Sequence, residues 1–317
     1  MHLYNAFMSI LVTGGHGFIG SHLVRRLVTL GHDVTIVVKP SSNLARIEDV
    51  LAKIKKMEGD LLDPESLARA IDRTKPEGIF HLAASNIQSG VTAVDDEVVR
   101  ANVLGMKTLL DATKDLPYKF FIQTGSFLEY GMKLEPMKES DVCEPAELYS
   151  VTKLAATLLA QAAGKNQKKP TLNFRIFTPY GPMLQKGRLV ENVIRRALAG
   201  VEIPLTQPDV TRDFIFVADI VELLIEGMEK AKKFPGEIFN AGGGQAVTLQ
   251  ELTDEVLRQT GSKSAVRWGA FPRVLYDTAS CQADMKKTFE AFSWWPKHDL
   301  AAGLRETIRW CHTSSKT

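Results

Sequence analysis

Thr13-Gly14-Gly15-His16-Gly17-Phe18-Ile19-Gly20 is the stretch on which the fold turns. It satisfies G-x-G-x-x-G through Gly15, Gly17 and Gly20, and G-x-x-G-x-x-G through Gly14, Gly17 and Gly20. Either spacing alone is weak, and its neighbours give it weight. The run Ser9 to Thr13 precedes it, an amphipathic segment from Phe18 to Thr29 opens from it, and a second β-branched run, Asp33 to Val38, follows. In a strand-turn-helix-strand unit, glycines let the backbone turn tightly and approach a pyrophosphate, whose charge rests on the helix's N-terminal amides. Gly14, Gly17, Phe18, Ile19 and Gly20 are therefore the first candidate cofactor contacts. A purely structural glycine turn is the plain alternative.

Outward from this unit the alternation continues. Strands are predicted at Ile54 to Glu58, Gly78 to Leu82, Lys119 to Gln123 and Thr171 to Ile176, with helices over Ser66 to Arg73, Val94 to Ala112 and Tyr149 to Ala163. This is the pattern of an α/β fold, a Rossmann-type doubly wound parallel sheet covered on both faces. After Tyr180-Gly181-Pro182 the elements shorten and prolines cluster. We expect a dinucleotide-binding domain over 1–180 and a smaller mixed α/β substrate-binding lobe over 181–317, with some chain crossing back. The lobe's predicted pieces are helices from Val190 to Ala199, Leu249 to Thr260 and through Leu304 to Cys311, and strands near Glu237 to Ala241 and Ala265 to Trp268. Gly242-Gly243-Gly244 lacks the lysine and hydroxyl of a P-loop and reads as a tight turn.

Bulk properties narrow the partners. Lys plus Arg is 39 against Asp plus Glu 37, and a net charge of +2 offers no global field for nucleic acid or an acidic membrane. No apolar run reaches membrane-spanning length, and the start, Met1 to Met8, lacks the shape of a signal peptide. Three scattered cysteines fit a reducing, cytoplasmic setting. Neither His16 nor His81 has a partner at ligand spacing, so no metal site is expected. The partners expected are a small molecule and a second copy of the chain.

The end of the second strand is where a dinucleotide's adenosine ribose is read. Here Val38 is followed by Lys39-Pro40-Ser41-Ser42, a cation and hydroxyls where an acidic residue would bind a free ribose diol. Lys39 and Ser41 favour NADP(H) over NAD(H). Asp60-Leu61 and Leu82-Ala83-Ala84 follow two further strands and can cover the adenine and ribose. Tyr149 and Lys153 stand four apart on a predicted helix, so the ammonium can lie beside the phenol and favour its ionised form. That makes a phenol of pKa about 10 a usable acid or base near neutrality.

Together the glycine stretch, His81-Leu82-Ala83-Ala84, Thr124-Gly125-Ser126, Tyr149 with Lys153, Tyr180-Gly181-Pro182 and Arg212-Asp213-Phe214 through Asp219 resemble the extended short-chain dehydrogenase/reductase family. The branch resembled is the NAD-dependent epimerase/dehydratases of nucleotide-diphosphate sugars. The resemblance implies a catalytic trio of Ser126, Tyr149 and Lys153. Tyr149 would exchange a proton with the sugar oxygen, Ser126 would hydrogen-bond that oxygen, and Lys153 would hold the nicotinamide ribose. It also implies a substrate contact at Arg212, with Arg273 a second candidate, an arginine fork suiting a diphosphate; Thr178 and Asn192 are further candidate substrate contacts. Thr178 stands where the family usually has Asn. A homodimer through the helices carrying Val94 to Ala112 and Tyr149 to Ala163 is implied as well.

The family's dehydratases carry an Asp-Glu pair after the catalytic hydroxyl; this chain has Phe127 and Leu128, with Glu129 one place later. Two reactions at C4 then need only the trio. Reduction of a 4-keto-6-deoxyhexose nucleotide is favoured by Lys39 and by the likeness of Ile203 to Phe214 to such reductases. The alternative is a 4-epimerase with retained NAD. From another class, a non-catalytic dinucleotide-binding sensor or scaffold would have no use for the trio. Which nucleotide and which sugar are bound is not legible in the sequence.

Overall fold

The runs flanking the glycine stretch pair side by side. In this computed structural model, which describes residues 7–85, 95–274, 277 and 281–314, β1 (Ser9–Thr13) lies between β2 (Asp33–Val38) and β4 (Gly78–His81), parallel to both. β3 (Lys55–Glu58) extends the sheet beyond β2, and β5 (Phe120–Ser126) extends it beyond β4. β6 (Thr171–Ile176) and the strand Glu237–Ala241 complete seven strands, in the order β3, β2, β1, β4, β5, β6, Glu237–Ala241. Reversal of strand order at β1 opens a crevice at the carboxyl ends of β1 and β4, where such sheets bind ligands.

Burial explains the composition. β4, β5 and β6 are buried at every residue, as strands covered on both faces must be. α1 (Phe18–Thr29) starts after extended Gly17 and ends before Gly31, which adopts φ +82°. α2 (Pro64–Thr74) has Pro64 in its first turn and the Asp63 carboxylate capping the amides of Glu65 and Ser66. The helix expected over Val94 to Ala112 resolves into α3 (Asp95–Val99), a π-helical turn (Arg100–Leu104) and α4 (Gly105–Thr113); Val94 itself lies outside the described residues. α5 (Leu148–Gln167) carries Tyr149 and Lys153. One apolar cluster, including Leu11, Ile79, Leu109, Phe121 and Ala160, holds β1, β4, α4, β5 and α5 together. At about 25 cal/mol per Å², burial on this scale is the main term favouring the fold.

The chain divides into two packed units. The first comprises Met1–Glu129, Glu147–Arg175 and Val221–Phe239, and the second Tyr130–Ala146, Ile176–Ile220 and Asn240–Thr317. The further helices are α6 (Leu189–Ala199), α7 (Val217–Lys230), α8 (Leu249–Thr260), α9 (Lys286–Ala291) and α10 (Leu300–Ser314). In the second unit α6, α8 and α10 pack mutually. Short strands pair Thr178–Tyr180 with Phe214–Phe216, and Thr211–Arg212 with Val247–Thr248. The Asp219 carboxylate accepts the amides of Lys297 and His298 while its carbonyl accepts the Trp294 indole, so Trp294 is a packing residue. The strand expected near Glu237 to Ala241 forms an edge of the seven-stranded sheet, with Phe239 packed on Phe174.

Candidate active site

Backbone closeness builds the glycine turn. Gly14 has φ +71°, and a Cβ there would lie 2.5 Å from the Ala83 nitrogen; one at Gly20 would lie 2.1 Å from the Gly14 carbonyl oxygen. Only glycine lets the turn press against Leu82 and Ala83. Gly17, at the N-cap of α1, brings no side chain to the first-turn amides of Phe18, Ile19 and Gly20. A helix N-terminus without a cap beside a Cβ-free cradle fits a dinucleotide's pyrophosphate. His16, within the turn, is held below the usual imidazole range by burial and by the Arg46 charge.

Lys39, Pro40, Ser41, Glu58, Asp60, Asp63 and Arg69 line an open depression of 590 Å³ at the ends of β2 and β3. Lys39 Nζ pairs with the Asp60 carboxylate at 3.1 Å, and the same carboxylate accepts the Leu62 amide at 2.9 Å. The cation expected to meet a 2′-phosphate thus already has an internal counter-ion. Leu61 packs against the apolar cluster. Ala84 is exposed just beyond the glycine contact.

Ser126 and the Lys153 ammonium both lie at the carboxyl end of β5. Lys153 is buried, and its ammonium donates to the Thr124 carbonyl at 2.5 Å, two residues before Ser126. Burial lowers Lys153 to about 8, opposed by the Glu129 carboxylate, which raises it. Tyr149, half-buried, lies one helical turn earlier on the same face of α5. Ser126 is buried, its Oγ accepting the Leu128 amide at 3.3 Å. His81 on β4 bonds Thr13 Oγ1 at 2.7 Å, and burial together with Lys153 takes it to about 3, so the imidazole is neutral.

Two contributors escape sequence reasoning. Asn102, in the π-helical turn, donates to the Ser85 carbonyl (2.9 Å) and Thr152 Oγ1 (3.0 Å) and accepts the Ser85 amide (2.8 Å). It ties the chain after β4 to the helix of Tyr149 and Lys153. An apolar-face position at helical spacing occupied by an amide was the only signal. The second is Glu129, whose partners the sequence does not show; it stands one place after the positions of the dehydratases' Asp-Glu pair. Its oxygens accept from Arg175 Nε (2.8 Å), Thr157 Oγ1 (3.0 Å) and the Ser126 amide (2.8 Å), with no exposed surface. That commitment to the protein interior removes it as an acid for a sugar, and Phe127 and Leu128 cannot replace it.

In the second unit, Arg212 is an internal pair with Asp277, and its Nη1 donates to the Thr211 carbonyl at 2.8 Å. Arg273 is exposed and grips both oxygens of Asp209 at 2.6 Å. Thr178 Oγ1 is buried without a hydrogen-bond partner among the described residues, and Asn192 is half-buried on α6. Among the described residues no group of three His, Cys, Asp or Glu could hold a metal ion, and no helix is long and apolar enough to cross a membrane.

Residues 10–242 match the NAD dependent epimerase/dehydratase family. A probable UDP-glucuronate 4-epimerase of Rhizobium meliloti is 29% identical, covering 96% of both chains. The crystal structure of UDP-glucose 4-epimerase from Thermotoga maritima with UDP-glucose superposes with a TM-score of 0.87 at 26% identity, over 96% of this chain and 99% of that one. That of dTDP-glucose 4,6-dehydratase from Bacillus anthracis in complex with NAD gives 0.86 at 25% identity, over 98% of each.

Proposed function

Because this chain belongs to the NAD-dependent epimerase/dehydratase family, we propose that it inverts C4 of a nucleotide-diphosphate hexose with a retained NAD. When bound, the nicotinamide supplies the acceptor and donor of hydride at C4. The glycine turn holds the pyrophosphate, Asp60 accepts hydrogen bonds from ribose hydroxyls, and Lys153 holds the nicotinamide ribose. Tyr149 takes the proton from the C4 hydroxyl and returns it; Ser126 hydrogen-bonds the same oxygen and keeps it in reach.

The carrying observation is the arrangement after β5. Lys153 is seated on Thr124 one turn from Tyr149, while Phe127, Leu128 and the internally bonded Glu129 leave no acid-base pair for eliminating water. UDP-sugar 4-epimerases among the relatives support the same reading. Lys39 and Arg69 at the depression favour a second reading, an NADPH-dependent 4-keto-6-deoxyhexose nucleotide reductase. Against it stand the Lys39 pairing with Asp60 and the carboxylates of Glu58 and Asp63 beside them, a setting better suited to a ribose diol than to a phosphate. Exposed Val99, Leu104, Val151 and Leu158 on the α3, π-turn and α5 segments support a homodimer through these helices. Three free cysteines, Cys143, Cys281 and Cys311, suit the cytoplasm.

Incubation with UDP-glucose, UDP-N-acetylglucosamine and UDP-glucuronate, with products separated by chromatography, tests the reaction. A C4 epimer formed without added nucleotide, and cut about 10²–10⁴-fold by Tyr149→Phe, is the expected result. Turnover only of 4-keto sugars with added NADPH would favour the reductase. Unchanged biological function in Tyr149→Phe would point to a non-catalytic binding protein.

A further inference from the structure

Glu129 follows β5 in a short 3₁₀ turn, Phe127–Tyr130, and folds back beneath the strand end. Gly125 makes that possible, since a Cβ there would lie 2.5 Å from Glu129 Oε1. The carboxylate then joins three elements: the Ser126 amide on β5, the Thr157 hydroxyl on α5 and Arg175 on β6. Thr157 is one turn beyond Lys153 on α5, and Lys153 in turn bonds the Thr124 carbonyl of β5. Ser126 and Lys153 therefore rest on a common foundation, with a buried charge at its centre.

We propose that Glu129, balanced by Arg175, is a positioning residue that fixes Ser126 against α5 and supplies the negative field that keeps Lys153 charged. It touches neither sugar nor cofactor and acts through those two groups. The charged or titratable groups around Lys153 agree with this assignment. From β4 comes His81, which is neutral; from its own helix, Tyr149; from β6, Arg175, reached through Glu129. Burial pushes the ammonium towards its neutral form, and Glu129 is the group that opposes it. A neutral Lys153 would stop favouring the Tyr149 phenolate, so the alkaline limit of the reaction is set in part by a carboxylate that never meets substrate. A buried carboxylate-guanidinium pair is also a poor device for stability alone, because apolar residues of similar volume often serve as well.

The proposal rests on the reading that Lys153 and Tyr149 carry the chemistry, yet its test needs no substrate. The full chain, labelled with [ε-¹³C]lysine, is titrated by NMR, the Lys153 signal being identified by its loss in Lys153→Arg. The wild-type midpoint is expected near about 8, where burial and the opposing Glu129 carboxylate together place it. In Glu129→Gln, which retains an oxygen for the Ser126 amide, the midpoint falls by about one unit or more, and in Glu129→Gln/Arg175→Met, where the opposing guanidinium is gone as well, it falls by less. Melting temperature separates this from scaffolding. The single variant strands Arg175 and melts earlier, whereas the double variant recovers because both buried charges are gone. An unmoved Lys153 midpoint in Glu129→Gln overturns the proposal, and where that variant does not fold, a midpoint that rises in the double variant does so. Should Tyr149→Phe retain epimerisation while the Lys153 midpoint shifts as expected, the functional reading fails and the electrostatic one stands.

Discussion

Two glycine-rich turns, Gly14 to Gly20 in the first unit and Gly242 to Gly244 in the second, follow strands of the large sheet and differ in what meets their amides. In the first, no side chain caps α1, and the Cβ-free cradle is open to an anion from outside. In the second, the Asp213 carboxylate accepts the amides of Gly243 at 2.5 Å, Gly244 at 3.0 Å and Ala283 at 2.9 Å. On the proposed function the same device, convergent backbone donors, serves a ligand in one place; in the other it serves the protein's own carboxyl group. A glycine run is thus a set of convergent donors, and the fold decides whether the acceptor is foreign.

Substitution in the two turns should break this parallel in opposite ways. Gly20→Val places a branched side chain against the Gly14 carbonyl, and NAD affinity measured by calorimetry should fall more than about 100-fold while circular dichroism shows a folded chain. Gly244→Ala forces alanine to φ +73° and should cost about 1–2 kcal/mol in denaturant unfolding, with NAD affinity unchanged. Equal losses of affinity in both would erase the distinction.

Asp213 sharpens the comparison through pH. Burial raises its carboxyl to about 7, against the three amides that lower it. A folded-state value above that of the unfolded chain means its contribution to stability is present at acid pH and lost as pH rises through about 7. Asp213→Asn, which cannot ionise and accepts fewer amides, should be less stable than wild type at pH 5, with the gap narrowing by pH 8. Melting curves across that range would show it, and a gap that widens with pH would contradict the assignment.

The smallest effect is expected at Lys39. With Asp60 as its counter-ion, Lys39→Ala should change NAD affinity by less than about threefold, the range of exposed ion pairs. A large loss of NADPH affinity from a tight starting value, read in the same titration, would restore the reductase reading.

Legibility in the sequence followed range. β1, β2, β6 and α1 appear at the bounds expected because β-branched or amphipathic runs end at explicit breakers such as Gly31 and Pro170. Helix α7 was hidden: Val217–Lys230 follows Phe214-Ile215-Phe216 without a polar break, and the segment was legible only as a motif. Two-residue strands such as Thr211–Arg212 carry no period at all. At the site, the helix spacing of Tyr149 and Lys153 was visible, whereas Glu129 finds Arg175 across 46 residues and Asn102 finds Thr152 across 50. Such pairings depend on which strands become neighbours, and no local pattern encodes that. The Lys39 pairing with Asp60 is of the same kind, joining the ends of β2 and β3.

The most direct test is the identity of the nucleotide released when the purified protein is denatured, read by mass and absorbance. Stoichiometric NAD is the result expected of a glycine turn that holds its ligand through turnover. A protein that releases none, and when stripped binds NADPH more tightly than NADH, would contradict the account.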